Sequence, residues 1–255
     1  MNTEQKRPSR PEPVDLRETG APIDGEPQVS DRRLFLQLHV FEDCSDPNNI
    51  VEVLEKSNLN AVLYDDTNNP TGIGVLFIVE DPAVLATEVR DLLAEFQHAA
   101  NLSYRPEMTM IGRTYSSGRE PNLEEWLINK PLQNALNLDF PWAIWYPLRR
   151  NPEFYRLEHR ERGRILGEHA MLGRSYAAGG HASDIRLACF GLDTNDNEFV
   201  IGLVGPELYP LSRLIQDMRQ TEQTTKYIES LGPFFVGKVR PVSYTHLTLP
   251  TNREV

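Results

Sequence analysis

Cysteine is nearly absent. Cys44 and Cys189 are the only two in 255 residues, and a pair so distant makes neither a disulfide framework nor a zinc cluster. Long apolar runs are missing as well. None approaches the roughly 20 residues that span a bilayer, so no membrane segment is expected. Positive charge is in deficit: 26 Lys and Arg against 37 Asp and Glu leave a formal net charge of −11. Phosphate backbones demand clustered cations, so nucleic acid is not an expected partner. Residues 1–30 lack the apolar stretch of a secretory signal. They are polar and rich in Pro and Glu, which predicts a disordered leader over 1–31 and, by default, a cytoplasmic location. Gly72 and Gly74 stand alone without the rest of a dinucleotide fingerprint. The chain also has no P-loop, His-Glu-x-x-His or nucleophile elbow.

What remains is ordinary for a globular protein, 40% apolar and 25% charged, and long enough for one large domain or two small ones with a core. Periodicity orders it into two similar series. In the first, Leu34, Leu36, Leu38 and Val40 alternate along a strand at 34–41. A short helix at 49–57 and strands at 61–64 and 72–79 follow. A helix at 82–99, with Leu85, Val89, Leu92 and Leu93 on one stripe, and a strand at 108–115 complete the series. The second runs as a strand at 142–147, a helix at 153–174, strands at 185–191 and 198–204, a helix at 211–228 and a strand at 234–239. A connecting helix at 123–135 lies between them.

Both series read β-α-β-β-α-β, the order of the ferredoxin-like unit. Each unit is an antiparallel sheet with helices on one face and a second apolar face that needs cover. Two units in one chain can cover each other. The predicted class is therefore α+β: a tandem duplication forming a barrel-like body with outer helices, its halves at 32–140 and 141–241. A flat cofactor fits between a sheet and its helix pair. Residues 242–255 show neither period and resemble a translated sequencing adapter. They are expected to be an artefactual tail outside the fold, so His246 is no candidate ligand.

One segment concentrates chemistry. His169 stands in Gly-Arg-Ile-Leu-Gly-Glu-His-Ala-Met-Leu-Gly-Arg-Ser-Tyr, residues 163–176. At helical spacing it shares a face with Ile165, Leu172 and Gly173, so an imidazole points into an apolar surface, with a glycine one turn on to leave space. Neutral imidazole is a good iron ligand, although spacing alone favours a core histidine bonded to a backbone carbonyl. His159 lies elsewhere on the helix wheel and reads as solvated.

Further pieces stand around it in order: Tyr146-Pro147, Phe154-Tyr155, Glu168 to Tyr176 as quoted, and Gly191-Leu192-Asp193 after a strand. Asp217-Met218-Arg219 in the last helix and Gly232-Pro233-Phe234-Phe235-Val236-Gly237 close the set. Over residues 142–240 this set resembles the haem half of the chlorite dismutase and coproheme decarboxylase family. The first half is similar in topology alone.

The resemblance implies a haem-dependent oxidoreductase. Its cofactor would be haem b or iron coproporphyrin III (coproheme), bound without covalent attachment because the chain has no Cys-x-x-Cys-His. His169 matches the proximal iron ligand. Tyr146 matches the tyrosine that forms a radical and oxidises a propionate in coproheme decarboxylases; alone, it reads as an aromatic strand residue. Arg219 matches a basic residue near a propionate, with the hydroxyl of Thr224 accompanying it. A guanidinium suits a carboxylate, although alone Arg219 reads as a solvated helix charge.

There are departures from the family pattern. Arg149 and Arg150 replace a lysine that follows the Tyr-Pro pair, which keeps the charge but gives a far poorer proton donor. Phe154 replaces a tryptophan at a helix start. Chlorite-degrading members carry an arginine on the distal side of the iron, and many decarboxylases carry glutamine or another residue. Counting back from Gly191 puts Asp184 there, with Arg186 two residues on and on the same strand face, and either could face the iron.

Three functions follow. Peroxide-dependent decarboxylation of coproheme to haem b is the first. Chlorite cleavage or generic peroxidase chemistry is the second, and a non-enzymatic haem carrier or sensor the third. The expected partners are a porphyrin, with hydrogen peroxide or chlorite, and the expected assembly is a homo-oligomeric ring, often a pentamer in this family.

Overall fold

The computed structural model describes residues 12–242. Its strands in chain order are β1 (Glu18–Ile23), β2 (Glu26–Ser30), β3 (Phe35–Glu42), β4 (Asn60–Asp66), β5 (Ile73–Val79), β6 (Ser103–Tyr104), β7 (Met110–Arg113), β8 (Trp142–Arg150), β9 (Ser183–Ala188), β10 (Phe199–Gly205), β11 (Ile228–Leu231) and β12 (Phe235–Arg240). The helices are α1 (Pro47–Lys56), α2 (Ala83–Ala86), α3 (Glu88–Ala100), α4 (Lys130–Leu136), α5 (Glu153–Arg156), α6 (His159–Ala178), α7 (Leu208–Met218) and α8 (Glu222–Tyr227).

The first four long strands pair in the order β7-β3-β5-β4, and their counterparts in the order β12-β8-β10-β9. Each is the fourth-first-third-second order of a ferredoxin-like unit, so the repeat seen in the periodicity is also a repeat of topology. The units join edge to edge. β12 pairs with β4 along Gly237↔Asp66 to Arg240↔Leu63, and β7 meets β9 at Arg113↔Ala188. Closure leaves no free edge among these eight strands, all of them antiparallel to their neighbours.

The barrel interior is filled. Leu36, Leu38, Tyr64, Trp145, Ile185, Leu187 and Phe235 meet inside it, with Leu127 and Ile128 of the connector packed against them. Large rings are admitted because glycines face them. A Cβ on Gly202, registered opposite Trp145, would lie 2.5 Å from that indole, and one on Gly74 would collide with Phe235. A flat ligand has no room there, and the outer faces are what remain. On the first half, α1 and α3 seal the outer face through Ile50, Leu54, Val89, Leu92 and Phe96 against Phe41, Val75 and Phe77. β5 is buried along its whole length because both its faces are covered.

Several expectations need correction. Part of the supposed leader is ordered: β1 and β2 form a hairpin. Gln28 bonds the Ala21 and Glu120 carbonyls, and Glu18 pairs with Arg113 at 3.0 Å, which ties the hairpin to the body. Residues 1–11 lie outside the described residues, as do 243–255 of the expected tail, while Val242 packs into the α1–α3 core.

Three helices are broken where one was expected. Thr87, at φ −119 and ψ −92, separates α2 from α3. Leu157, in extended conformation, separates α5 from α6. The chain leaves the helical conformation at Thr221 between α7 and α8. The connector opens with a π-helical turn, Glu125–Asn129, before Pro131 near the start of α4. Proline lacks an N–H, so a wider turn there forfeits little.

Candidate functional site

The second half seals its outer face less completely. α1 buries Ile50 and Leu54 in ten residues, whereas α6, with 20 residues, buries Ile165 alone. Between α6, α7 and the β8–β10–β9 face lies a core in which Tyr146, Leu148 and Phe199 are buried while Leu172, Tyr176, Ile201, Met218 and Phe234 are only partly so. Beside Gly173 a Cβ would meet only the Met218 methyl, at 3.5 Å, which is ordinary contact, so room remains there.

Strand register decides which side chains share this face. Tyr146 on β8 is opposite Ile201 on β10, which is opposite Arg186 on β9. Ile144 is likewise opposite Leu203, and Leu203 opposite Asp184. Directly paired residues point to the same side. Tyr146, Asp184 and Arg186 therefore all face the layer of α6, while Ile185 and Leu187 fill the barrel. The two candidates for one position turn out to be partners, with Arg186 Nε 2.8 Å from Asp184 Oδ2.

His169 is set by the start of α8. Its Nδ1 lies 3.4 Å from Thr221 Oγ1. That hydroxyl donates its hydrogen to the Met218 carbonyl at 2.8 Å, so it is an acceptor toward the imidazole. Nδ1 then carries the proton, and Nε2 keeps a lone pair for a ligand. Flanking residues of α6 hold the same element: Glu168 accepts the Glu222 N–H at 3.0 Å, and Arg164 pairs with Glu222 at 2.7 Å. Burial first, then Arg150 and Arg186, push the imidazole down to about 4, so it is neutral at ordinary pH.

Tyr146 is buried and stacks on Phe234 at 4.8 Å. Burial chiefly, and Asp184 next, hold its phenol above the usual range, while Arg219 opposes them. Arg219 itself is exposed at the end of α7. Arg150 lies on the same face as Tyr146, its guanidinium 4.5 Å from the Phe199 ring and 4.9 Å from Phe154. Its Nε is buried and has no hydrogen-bond partner. Phe154 is 1% exposed, packed edge-on against Tyr155 and Tyr227, and serves as the shelf for Arg150. Thr224 bonds Thr221 at 3.2 Å and so stands one link away from His169.

The structure thus gathers Tyr146, Arg186, Arg150 and His169 around one layer, with Arg219 close enough to act on the phenol and Thr224 behind the imidazole. Two residues escaped the sequence reading. Thr221 was hidden because residues 211–228 read as one helix, although a Thr followed by Glu is a recognisable helix start. Tyr115, just past β7, reaches this face from the first half, its ring 5.6 Å from Phe199.

The family model described as chlorite dismutase matches residues 87–240, more than half of the chain. The chain belongs to the chlorite dismutase family. Two family-related sequences are coproheme decarboxylases. The one from Oceanobacillus iheyensis is 36% identical over 99 residues, 37% of this chain and 38% of that protein. The one from Mycolicibacterium smegmatis is 34% identical over 95 residues, 36% and 37% of the two chains. The aligned part thus spans under two fifths of these curated relatives.

Among solved structures, a heme-binding protein from Thermus thermophilus is similar in fold at TM-score 0.63 and 18% identity, covering 91% of this chain and 95% of that one. Chlorite dismutase from Candidatus Nitrospira defluvii is similar at TM-score 0.60 and 14% identity, covering 84% and 93%.

Proposed function

We propose that this member of the family binds a haem-type porphyrin between α6 and the β8–β10–β9 face. His169 Nε2 would be the iron ligand, and the activity would be peroxide-dependent decarboxylation of coproheme to haem b. The residues fit such a group. Among the described residues no cluster of three or more His, Cys, Asp or Glu could hold a bare metal ion. A single neutral imidazole suffices when a macrocycle supplies the in-plane nitrogens. Two cations, Arg150 with its unpartnered buried Nε and Arg219 at the end of α7, suit propionate carboxylates.

The observation that carries the decarboxylase reading is Tyr146, a buried and protonated phenol on the sheet face that α6 covers, within the influence of Arg219. When bound, the iron supplies the redox chemistry with hydrogen peroxide. The protein's share is local. Tyr146 holds a hydrogen atom at its phenolic oxygen, to be given up and regained beside a propionate. Arg150 and Arg219 orient the carboxylates, and the surrounding aromatic side chains exclude water. Arg186 on the same face favours a second reading, chlorite cleavage or generic peroxidase chemistry.

The deciding experiment is loading with iron coproporphyrin III, addition of peroxide, and mass spectrometry of the porphyrin. Stepwise loss of two carboxyl groups is expected, and Tyr146→Phe should abolish it while leaving the Soret band in place. A retained porphyrin that loses neither carboxyl would move the reading to the second chemistry. Binding without turnover of peroxide or chlorite would make the protein a carrier or sensor.

A further inference from the structure

We propose that Asp184 and Arg186 form a charge-neutral pair on the sheet side of the porphyrin layer and that Asp184 sets the site's preference for neutral over anionic iron ligands and oxidants. The inference rests on the haem site proposed above. Register puts both side chains on the face that α6 covers, opposite the element that carries His169. They are ion-paired at 2.8 Å, and each is about two fifths exposed (40% and 41%), so they border open space and not packed core.

The pair is held in place from two directions. The Arg186 guanidinium lies 4.7 Å over the Trp126 ring, and the Trp126 indole N–H is fixed by the Tyr115 carbonyl at 3.0 Å. The Asp184 carbonyl accepts from Asn134 of α4 at 3.4 Å.

A lone arginine here would present a full positive charge to a small molecule arriving opposite His169, and an anion such as chlorite would be drawn in. A carboxylate in contact with the guanidinium cancels most of that field at distances greater than their separation. Arg150, its guanidinium held between Phe154 and Phe199, keeps its charge in all variants and so adds a constant background to the comparison. A neutral molecule such as hydrogen peroxide meets no such change, because its approach does not depend on net charge. Asp184 is therefore a selectivity residue whose carboxylate offsets the charge of Arg186.

The test uses the full chain loaded with ferric haem b and read by the Soret shift on titration with azide, an anion, and imidazole, a neutral ligand. In Asp184→Asn, azide should bind about tenfold more tightly, the effect of unmasking one charge roughly 10 Å away in a partly hydrated site, with imidazole unchanged. Arg186→Gln should weaken azide and leave imidazole alone. The double variant should bind azide more tightly than Arg186→Gln and close to the unaltered protein, because removing both charges leaves the site as neutral as the ion pair does. Equal changes for both ligands in Asp184→Asn, or no change, would overturn the inference. Thermal melts of each variant separate loss of folding from loss of selectivity. Absence of a Soret band in the unaltered protein would instead sink the haem-site reading, and this inference with it.

Discussion

The Thr221 hydroxyl can donate one hydrogen, and the Met218 carbonyl takes it. What it offers His169 is a lone pair, and this fixes the tautomer with Nε2 free. Such outer partners of a ligating histidine typically carry about 10- to 100-fold in affinity. Thr221→Val keeps the shape and removes the acceptor. It should lower haem affinity by about tenfold with little change in the melting temperature, read by haem transfer to an apo-acceptor protein. His169→Ala should abolish or shift the Soret band altogether. A Soret band unchanged in position and strength in that variant would remove His169 from the iron.

Between elements, fit is set by glycines facing rings. Gly202 on β10 lies under Trp145 of β8, with 2.5 Å between its missing Cβ and the indole. Gly202→Ala should destabilise the protein by about 1–3 kcal/mol through overpacking, measured by urea unfolding. Trp145→Leu in the same chain should recover part of that loss, and full additivity of the two would argue against a shared contact.

This packing also marks where the sequence was legible. Alternation along 34–41 and the β-α-β-β-α-β order twice over lead directly to a duplicated α+β barrel, because alternation marks a strand with one face turned to a core and the element order sets the unit. Positions set by contact between distant segments were not legible. Gly74 and Gly202 fall inside expected strands, but nothing local shows that the rings of Phe235 and Trp145 lie over them. Asp184 and Arg186 read as rivals because sequence shows two charges on one strand face but not the ion pair between them. The β1–β2 hairpin was lost because it is polar and is held by Gln28 and Glu18 reaching residues 113–120, contacts without any local period.

For the molecule as a whole, two histidines tie stability to pH. His39 on β3 is 6% exposed, its Nδ1 bonded to the Tyr104 hydroxyl at 3.0 Å and its Nε2 buried without a partner. Burial pushes it down to about 4, as burial and neighbouring arginines do for His169. In the unfolded chain both histidines take up a proton near the ordinary 6.5. Between those values the unfolded state binds more protons, so stability rises with pH across the window. The contribution is complete above about 6.5 and is lost as pH falls toward 4. For His39 it amounts to about 3 kcal/mol at most.

His39→Leu removes the titrating group while Tyr104 keeps its bond to the Thr109 hydroxyl. The variant should be near neutral in stability at pH 7.5 and more stable than the unaltered protein at pH 5, in urea unfolding of the haem-free form. If its decline between pH 6.5 and 4 were as steep as before, desolvation of His39 would not be what couples the barrel to acid. The carboxylates held below their usual range by arginine or lysine, such as Glu80 and Glu222, would then be the groups to test, at lower pH.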